Sequence, residues 1–135
     1  MRPDLQLREL AVFVRAHSEQ GPGILWPDHA APDGWGGDPG GLAARLALLL
    51  DRAVAVAGPD SLVSPCPEDL LVLQQAGGSG WHLSAPCRPG AAPEALRLRT
   101  GEALFVPRGY TVRVERTGSA RLLCLTIAAV QSRAV

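Results

Sequence analysis

The spacing of hydrophobic positions along the chain changes near residue 55. Before it, apolar residues between Leu5 and Val14 recur at broadly helical spacing, which predicts a first helix from about Asp4 to Glu19. The sequence GPG ends this helix, and a second helix is expected over roughly Gly41 to Arg52. Between them, ILWP indicates a short extended piece and DHAAPDGWGGDPGG a loop rich in turn-forming residues.

From AVAVAG onward the chain consists of short apolar segments separated by Gly, Pro or Ser. The segments rich in Val and Leu are predicted strands: DLLVLQQ, GWHLS, ALRLR, ALFVP, TVRVER and ARLLCLTIAAV. Two of them alternate clearly, with Leu96, Leu98, Val112 and Val114 on one face and charged residues on the other. This pattern predicts an antiparallel sheet with one solvated face, in a sandwich or small barrel.

Composition indicates one folded domain. The 135 residues are enough for one hydrophobic core, and the 47% hydrophobic content excludes a disordered chain. We therefore expect a single domain over 1–135, mostly helical over 1–55 and a β-barrel over 56–135. The 13 basic and 13 acidic residues balance, so no global field would attract nucleic acid or an anionic membrane. The basic residues are all Arg, which together with abundant Ala, Gly and Pro suggests a bacterial source.

Targeting signals are not visible in the sequence. The N-terminal MRPDLQLREL has no apolar core typical of a signal peptide, and LAARLALLL is interrupted by Arg45 and is too short to span a bilayer. Three cysteines, without a CxxC spacing, favour free thiols in a cytoplasmic protein.

Two segments of the β region match longer motifs. The run SPCPEDLLVLQQAGGSGW, residues 64–81, is similar to H-x-D-x-x-D-[VL]-[FL]-x-[LV]-Q-x-x-G-x-K/R-x-W. Its matching positions are Asp69, Gln74, Gly77 and Trp81. GEALFVPRGYTV, residues 101–112, matches G-[DE]-x-[LI]-[YF]-[VL]-P-x-G-x-x-H except at its last position. LLCLTIA is similar to S-L-H-L-T-[IV]-G, and FVRAHSEQGPGILWP to F-x-x-x-Y-W-E-x-x-P-L-x-I.

These motifs resemble the cupin superfamily, and more narrowly its JmjC-like ribosomal-oxygenase branch, whose members hydroxylate proteins with Fe(II) and 2-oxoglutarate. The resemblance implies a mainly β fold: a cupin-like double-stranded β-helix, which is a small barrel or jelly roll, preceded by two helices. Gly101 and Gly109 would supply its turns and Pro107 a strand edge.

The chemistry of that family is missing at the matching positions. Two His and one carboxylate hold the iron in the family, and the corresponding residues here are Ser64, Cys66 and Val112. Ser79 replaces the basic residue for 2-oxoglutarate, and Cys124 replaces a late-strand His. Because valine cannot ligate a metal and serine is a poor ligand at neutral pH, we predict no metal, no cofactor and no catalytic residue.

The leading hypothesis is a truncated, catalytically inert, hydroxylase-like pseudoenzyme that binds a peptide or protein partner. A peptide laid along a sheet edge gains main-chain hydrogen bonds, and side-chain pockets give selectivity. One context is an accessory protein that presents a precursor peptide to tailoring enzymes in bacterial peptide natural-product biosynthesis. The residues expected at the binding surface are Trp35, Trp81, Tyr110, Arg97, Arg99 and Arg113. The apolar LLCLTIAAV is expected near a sheet edge, which a homodimer would cover.

Two enzymatic alternatives stay open. A metal-independent cupin-like isomerase, cyclase or lyase would act on a small molecule in the barrel. Its acid–base candidates are Glu102, Glu115, Asp69 and Tyr110, with no carboxylate pair or His dyad visible among inward positions. An Fe(II)/2-oxoglutarate oxygenase with atypical ligands is the third hypothesis.

The remaining His and Cys residues have simpler structural interpretations. A zinc site from Cys66, His82, Cys87 and Cys124 suits tetrahedral coordination, but the spacing matches no familiar finger. Buried free thiols are the commoner outcome, and a Cys nucleophile partnered by His82 and Asp69 is equally weak in sequence.

Position along the predicted elements gives each histidine a structural role. His17 is expected near a helix end and His29 in a loop. His82 is expected on the surface if the neighbouring Trp81 points inward. GGSG, residues 77–80, indicates a hairpin turn and no phosphate loop.

Overall fold

In a computed structural model, the described part of the chain folds into two antiparallel sheets and two helices. The structure describes residues 3–18, 20–26, 38–58, 62–86, 93–116 and 118–128. The elements are α1 (Pro3–His17), β1 (Gly23–Leu25), α2 (Pro39–Leu50), β2 (Val54–Ala57), β3 (Asp69–Ala76), β4 (Ser79–Ser84), β5 (Glu94–Leu98), β6 (Ala103–Val106), β7 (Thr111–Arg116) and β8 (Arg121–Ile127). The fold is mainly β, as the spacing of apolar residues predicts, and the two expected helices are present.

The strands from β3 onward cross between the two sheets. The larger sheet has the order β1-β6-β3-β8-β2 and the smaller has the order β5-β4-β7. Neighbours in both sheets are antiparallel, for example β3 with β8 and β4 with β7. The chain therefore runs from the larger sheet (β3) to the smaller (β4 and β5), returns (β6), crosses again (β7) and returns (β8).

Each face of the larger sheet buries a separate apolar cluster. One face packs against α1 and α2, and its cluster includes Leu10 and Leu46 from the helices and Phe105 from β6. The other face packs against the smaller sheet, and its cluster includes the fully buried Trp81 of β4. The three layers are therefore helices, five-stranded sheet and three-stranded sheet, and the two sheets form a β-sandwich.

The sequence of α2 specifies where the helix begins and ends. The Asp38 carboxylate accepts hydrogen bonds from the N–H groups of Gly40 (3.3 Å) and Gly41 (3.2 Å), and Pro39 begins the helix. At the other end, Asp51 has the left-handed conformation with a φ of 55°. These caps satisfy backbone groups that the helix itself leaves without partners.

Two glycines of the second motif are required by the turns they occupy. Gly101 has a φ of 88° and Gly109 a φ of 89°. Each is the third residue of a turn, closed by hydrogen bonds from Glu102 N to Arg99 O (3.0 Å) and from Tyr110 N to Pro107 O (3.4 Å). A positive φ at the third position is the mark of a type II turn, which favours glycine. Both turns agree with the sequence expectation.

Strand pairing adds one feature to the sequence expectation and differs from it in another. The short extended piece expected at ILWP contributes β1, which pairs with β6 of the larger sheet. The segment LLCLTIAAV was expected near a sheet edge, but β8 lies between β3 and β2 and is paired on both sides. The edge argument for a homodimer is therefore wrong, because hydrophobic alternation shows which face is buried and not which strand lies at the edge.

The helices are short relative to a lipid bilayer. Within the described ranges, neither is long and apolar enough to cross a membrane.

Candidate functional site

The three positions that match the metal ligands of the resembled family lie close together. The Val112 N–H donates to Ser64 Oγ at 3.0 Å. Two further bonds join the same segments, from Cys66 N to Tyr110 O (2.9 Å) and from Gly109 N to Cys66 O (2.7 Å). The segment around Ser64 and Cys66 therefore runs beside the start of β7, at one end of the sandwich.

The side chains at this end do not fit an Fe(II) ion. The Ser64 hydroxyl accepts a main-chain hydrogen bond, and Val112 packs against the cluster between the sheets. The Cys66 thiol is buried; this burial, reinforced by the nearby negative charge of Asp69, raises its pKa. A neutral buried thiol, a hydroxyl and an isopropyl group cannot replace two imidazoles and a carboxylate.

A zinc site is likewise not formed by the described residues. In those ranges no group of three or more His, Cys, Asp or Glu side chains is placed to hold a metal ion. Cys66 and Cys124 are free, buried and part of the cluster between the sheets. His82 is on the outward face of β4, where its Nε2 lies 3.4 Å from a Glu115 carboxylate oxygen. Cys87 lies outside the described residues.

The position matching the 2-oxoglutarate ligand forms a buried hydrogen-bond chain. Ser79 Oγ donates to Gln74 Oε1 at 2.7 Å and accepts from Trp81 Nε1 at 2.9 Å. The Gln74 amide nitrogen donates onward to Ala76 O at 2.7 Å. These partners satisfy the polar atoms of side chains that are fully or almost fully buried. Ser79 and the motif residues Gln74 and Trp81 thus stabilise the β3–β4 hairpin.

The acid–base candidates also have structural partners. The two oxygens of Asp69 accept from the Arg52 guanidinium (2.6 Å) and the Arg108 N–H (2.9 Å). Glu102 is buried, and its carboxylate accepts from Arg99 N at 2.7 Å, closing the β5–β6 turn. Glu115 is exposed and lies 3.6 Å from Arg113. The described structure brings no two of these carboxylates together.

Two of the histidines expected to be structural can be compared with the structure. His17 ends α1, and its Nδ1 lies 3.2 Å from Gly21 O, while its ring stands 4.7 Å from that of Phe13. His82 faces outward because Trp81 faces inward, which agrees with the alternation in the sequence. His29 lies outside the described residues.

The expected binding surface divides into buried and exposed members. Trp81 is fully buried in the cluster between the sheets, so its placement on a surface is wrong: alternation along β4 directs it inward. Tyr110 is half-buried against the same cluster. Arg97 and Arg113 are exposed on the smaller sheet, and Arg99 is exposed in the turn that follows β5. Trp35 lies outside the described residues.

Among the described strands, β5 lies at one edge of the smaller sheet. The Val112 N–H points away from β4, toward Ser64. Trp81 is opposite Val114 on one side and Leu96 on the other. Since Val114 has the same orientation as Val112, its N–H and C=O also point away from β4. The N–H and C=O of Trp81 therefore point toward β5, where they pair with those of Leu96. The main-chain groups of Ala95 and Arg97 then point outward from the sheet. Periodicity in the sequence gives no signal for this edge.

A small apolar cavity lies beside Cys66. It has a volume of about 70 Å³, and its walls include Ala57, Leu62 and Leu70. Val63 also lines it and is 62% exposed. The cavity is less than half the size of the ~150 Å³ engineered cavity that admits benzene, so it holds little more than a methyl-bearing side chain.

Comparison with known proteins identifies no relative: no protein-family model matches the chain, and no curated protein matches it.

Replacement of Ser79 tests the buried hydrogen-bond chain. We expect Ser79→Ala to lower the free energy of unfolding by about 1–3 kcal/mol, because the Trp81 N–H and the Gln74 carbonyl lose their buried partner. Ser119→Ala, in the exposed β7–β8 turn, should change it by less than about 0.5 kcal/mol. Urea denaturation of the three proteins measures both, and equal stabilities would contradict the structural role of Ser79.

The burial of the two thiols predicts that the free energy of unfolding depends on pH. Burial raises the pKa of Cys124 from 9.0 to about 12, with a smaller opposing effect from Arg116, and raises that of Cys66. The folded state thus favours the neutral thiols over the thiolates. Their contribution to the free energy of unfolding is fully present below pH 9 and is lost as the pH rises toward 12. In a Cys87→Ser background, iodoacetamide at pH 8 should alkylate Cys124 far more slowly in folded than in urea-unfolded protein. Similar rates in the two states would contradict the burial.

Proposed function

We propose that this chain is a cupin-like protein without catalytic activity that binds an extended peptide along strand β5. The finer fold assignment, a double-stranded β-helix, is supported by the repeated crossing of consecutive strands between the two sheets, which is typical of jelly rolls. The proposed peptide would extend the order β5-β4-β7 by one strand on the β5 side.

The observation that carries the absence of catalysis is the hydrogen bond from Val112 N to Ser64 Oγ. It joins two positions that match iron ligands in the resembled family. The Ser64 hydroxyl there accepts a hydrogen bond from the main chain. Cys66 beside them is buried in its neutral state, and Ser79 is held between Gln74 and Trp81. The polar groups at these positions therefore stabilise the fold.

The edge of β5 supports the binding role. Outward-pointing main-chain groups at Ala95 and Arg97 offer two donors and two acceptors to an added strand. The exposed side chains of Arg97 and Arg99 flank that edge. They favour peptides that carry carboxylates, because opposite charges steer association and fix register.

A metal-independent small-molecule enzyme receives less support. The cluster between the sheets contains large buried side chains, among them Trp81, Leu83 and Leu104. The candidate acid–base groups Asp69 and Glu102 are bound by main-chain N–H groups and, for Asp69, by Arg52. A precursor peptide of a biosynthetic pathway remains our proposed partner class, and a short open reading frame beside the gene would support it.

Peptide binding at β5 is tested by removing one outward N–H. Twelve-residue peptides selected from a random display library on the purified protein serve as probes. We expect Ala95→Pro to weaken binding roughly fivefold to tenfold or more, because proline removes an edge donor without removing a bond to β4. Ala95→Thr retains the N–H and should bind like the unchanged protein. Equal binding by the proline and threonine variants would show that β5 is not the site.

Metal and cosubstrate binding provide a separate test. The purified protein is incubated anaerobically with Fe(II) and 2-oxoglutarate and then dialysed and analysed by mass spectrometry for metal. We expect no stoichiometric iron and no saturable 2-oxoglutarate binding. One equivalent of bound iron would contradict the non-catalytic proposal and favour an oxygenase with atypical ligands.

A further inference from the structure

A groove lies between α1 and α2. It has a volume of about 200 Å³ and is lined by Leu7, Arg8, Arg45, Leu48 and Leu49. The helices thus contribute an apolar floor and one arginine each. The volume exceeds the ~150 Å³ of an engineered cavity that admits benzene, so a leucine or phenylalanine side chain fits.

The leucines of the groove differ in their exposure. Leu7 is buried and belongs to the cluster between the helices and the larger sheet, whereas Leu49 is half-buried against it. Leu48 is 83% exposed at the groove wall. A large side chain exposed beside a concave apolar surface is typical of an interaction site, whereas an isolated exposed leucine is ordinary.

The charge of the groove indicates what kind of partner fits it. Arg8 and Arg45 are exposed, and none of the described side chains that line the groove is acidic. Arg45 Nε donates to Gly41 O at 3.4 Å, within its own helix, and the side chain is exposed. The two exposed arginines place a local positive charge around the apolar centre of the groove, although the net charge of the whole chain is zero.

We infer that this groove binds an acidic amphipathic helix of a partner protein. One apolar side chain of that helix enters between Leu7, Leu48 and Leu49, and carboxylates on either side bind Arg8 and Arg45. A partner helix of three turns, ~16 Å long, matches the length of the 12-residue α2, which is ~18 Å. This surface is distinct from the β5 edge and does not depend on peptide binding there.

The test uses two fluorescein-labelled helical peptides of about 16 residues. Both have leucine at every third or fourth position; the other positions are mainly glutamate in the first and lysine in the second. We expect the glutamate peptide to bind saturably by fluorescence anisotropy and the lysine peptide to bind at least about tenfold more weakly. Amide chemical shift changes should be confined to α1 and α2.

Variants locate the site. Each of three substitutions in the groove should weaken binding of the glutamate peptide about tenfold: Arg8→Glu, Arg45→Glu and Leu48→Asp. The control is Arg121→Glu, at an exposed position at the start of β8, which should leave this binding unchanged. Circular dichroism checks that the variants fold. Ala95→Pro should leave the affinity for the glutamate peptide unchanged, so this test is independent of the β5 proposal.

Three results would overturn the inference. The first is equal binding of the two peptides, or no binding of either. The second is an affinity for the glutamate peptide that the groove variants do not change. The third is a dimer in sedimentation that Leu48→Asp converts to a monomer, because a second copy of the chain would then occupy the groove.

Discussion

The buried ion pair between Arg52 and Asp69 is the contact on which the arrangement of the elements depends. Its atoms are 2.6 Å apart, and the two side chains are only 8% and 12% exposed. The same guanidinium donates to Ala128 O (2.7 Å) after β8 and to Ser18 Oγ (3.3 Å) after α1. The second Asp69 oxygen accepts from the Arg108 N–H in the β6–β7 turn. One buried pair of charges thus joins both helices, two strands of the larger sheet and a turn toward the smaller sheet.

This contact also explains why the segment of Ser64 and Cys66 lies beside the start of β7. Asp69 begins β3 directly after the segment of Ser64 and Cys66, and Arg108 lies just before the start of β7. Binding both Arg52 and the Arg108 N–H therefore fixes the two segments beside each other, where Val112 N bonds to Ser64. The Asp69 carboxylate and the Ser64 hydroxyl at this end accept hydrogen bonds from main-chain N–H groups.

The sequence predicted the parts of this structure that depend on local periodicity. The inward positions of Leu98, Val112 and Val114, and the positive φ of Gly101 and Gly109, follow from alternation and turn chemistry. The partners across the fold were not predicted. Nothing near Arg52 in the chain indicates that it binds Asp69 or the end of β8, and alternation does not show that β8 is an internal strand. The expected surface role of Trp81 failed because a tryptophan gives the same signal for a core and for an interface.

A double-mutant cycle on Arg52 and Asp69 tests most directly whether this buried ion pair stabilises the fold. The free energy of unfolding is measured in urea for the unchanged protein, Arg52→Met, Asp69→Asn and the double variant. Each single change should cost about 3–5 kcal/mol, because it leaves a buried charge without its partner, and the double change should cost far less than their sum. Additive losses, or an Asp69→Asn variant as stable as the unchanged protein, would contradict the structural role of this pair.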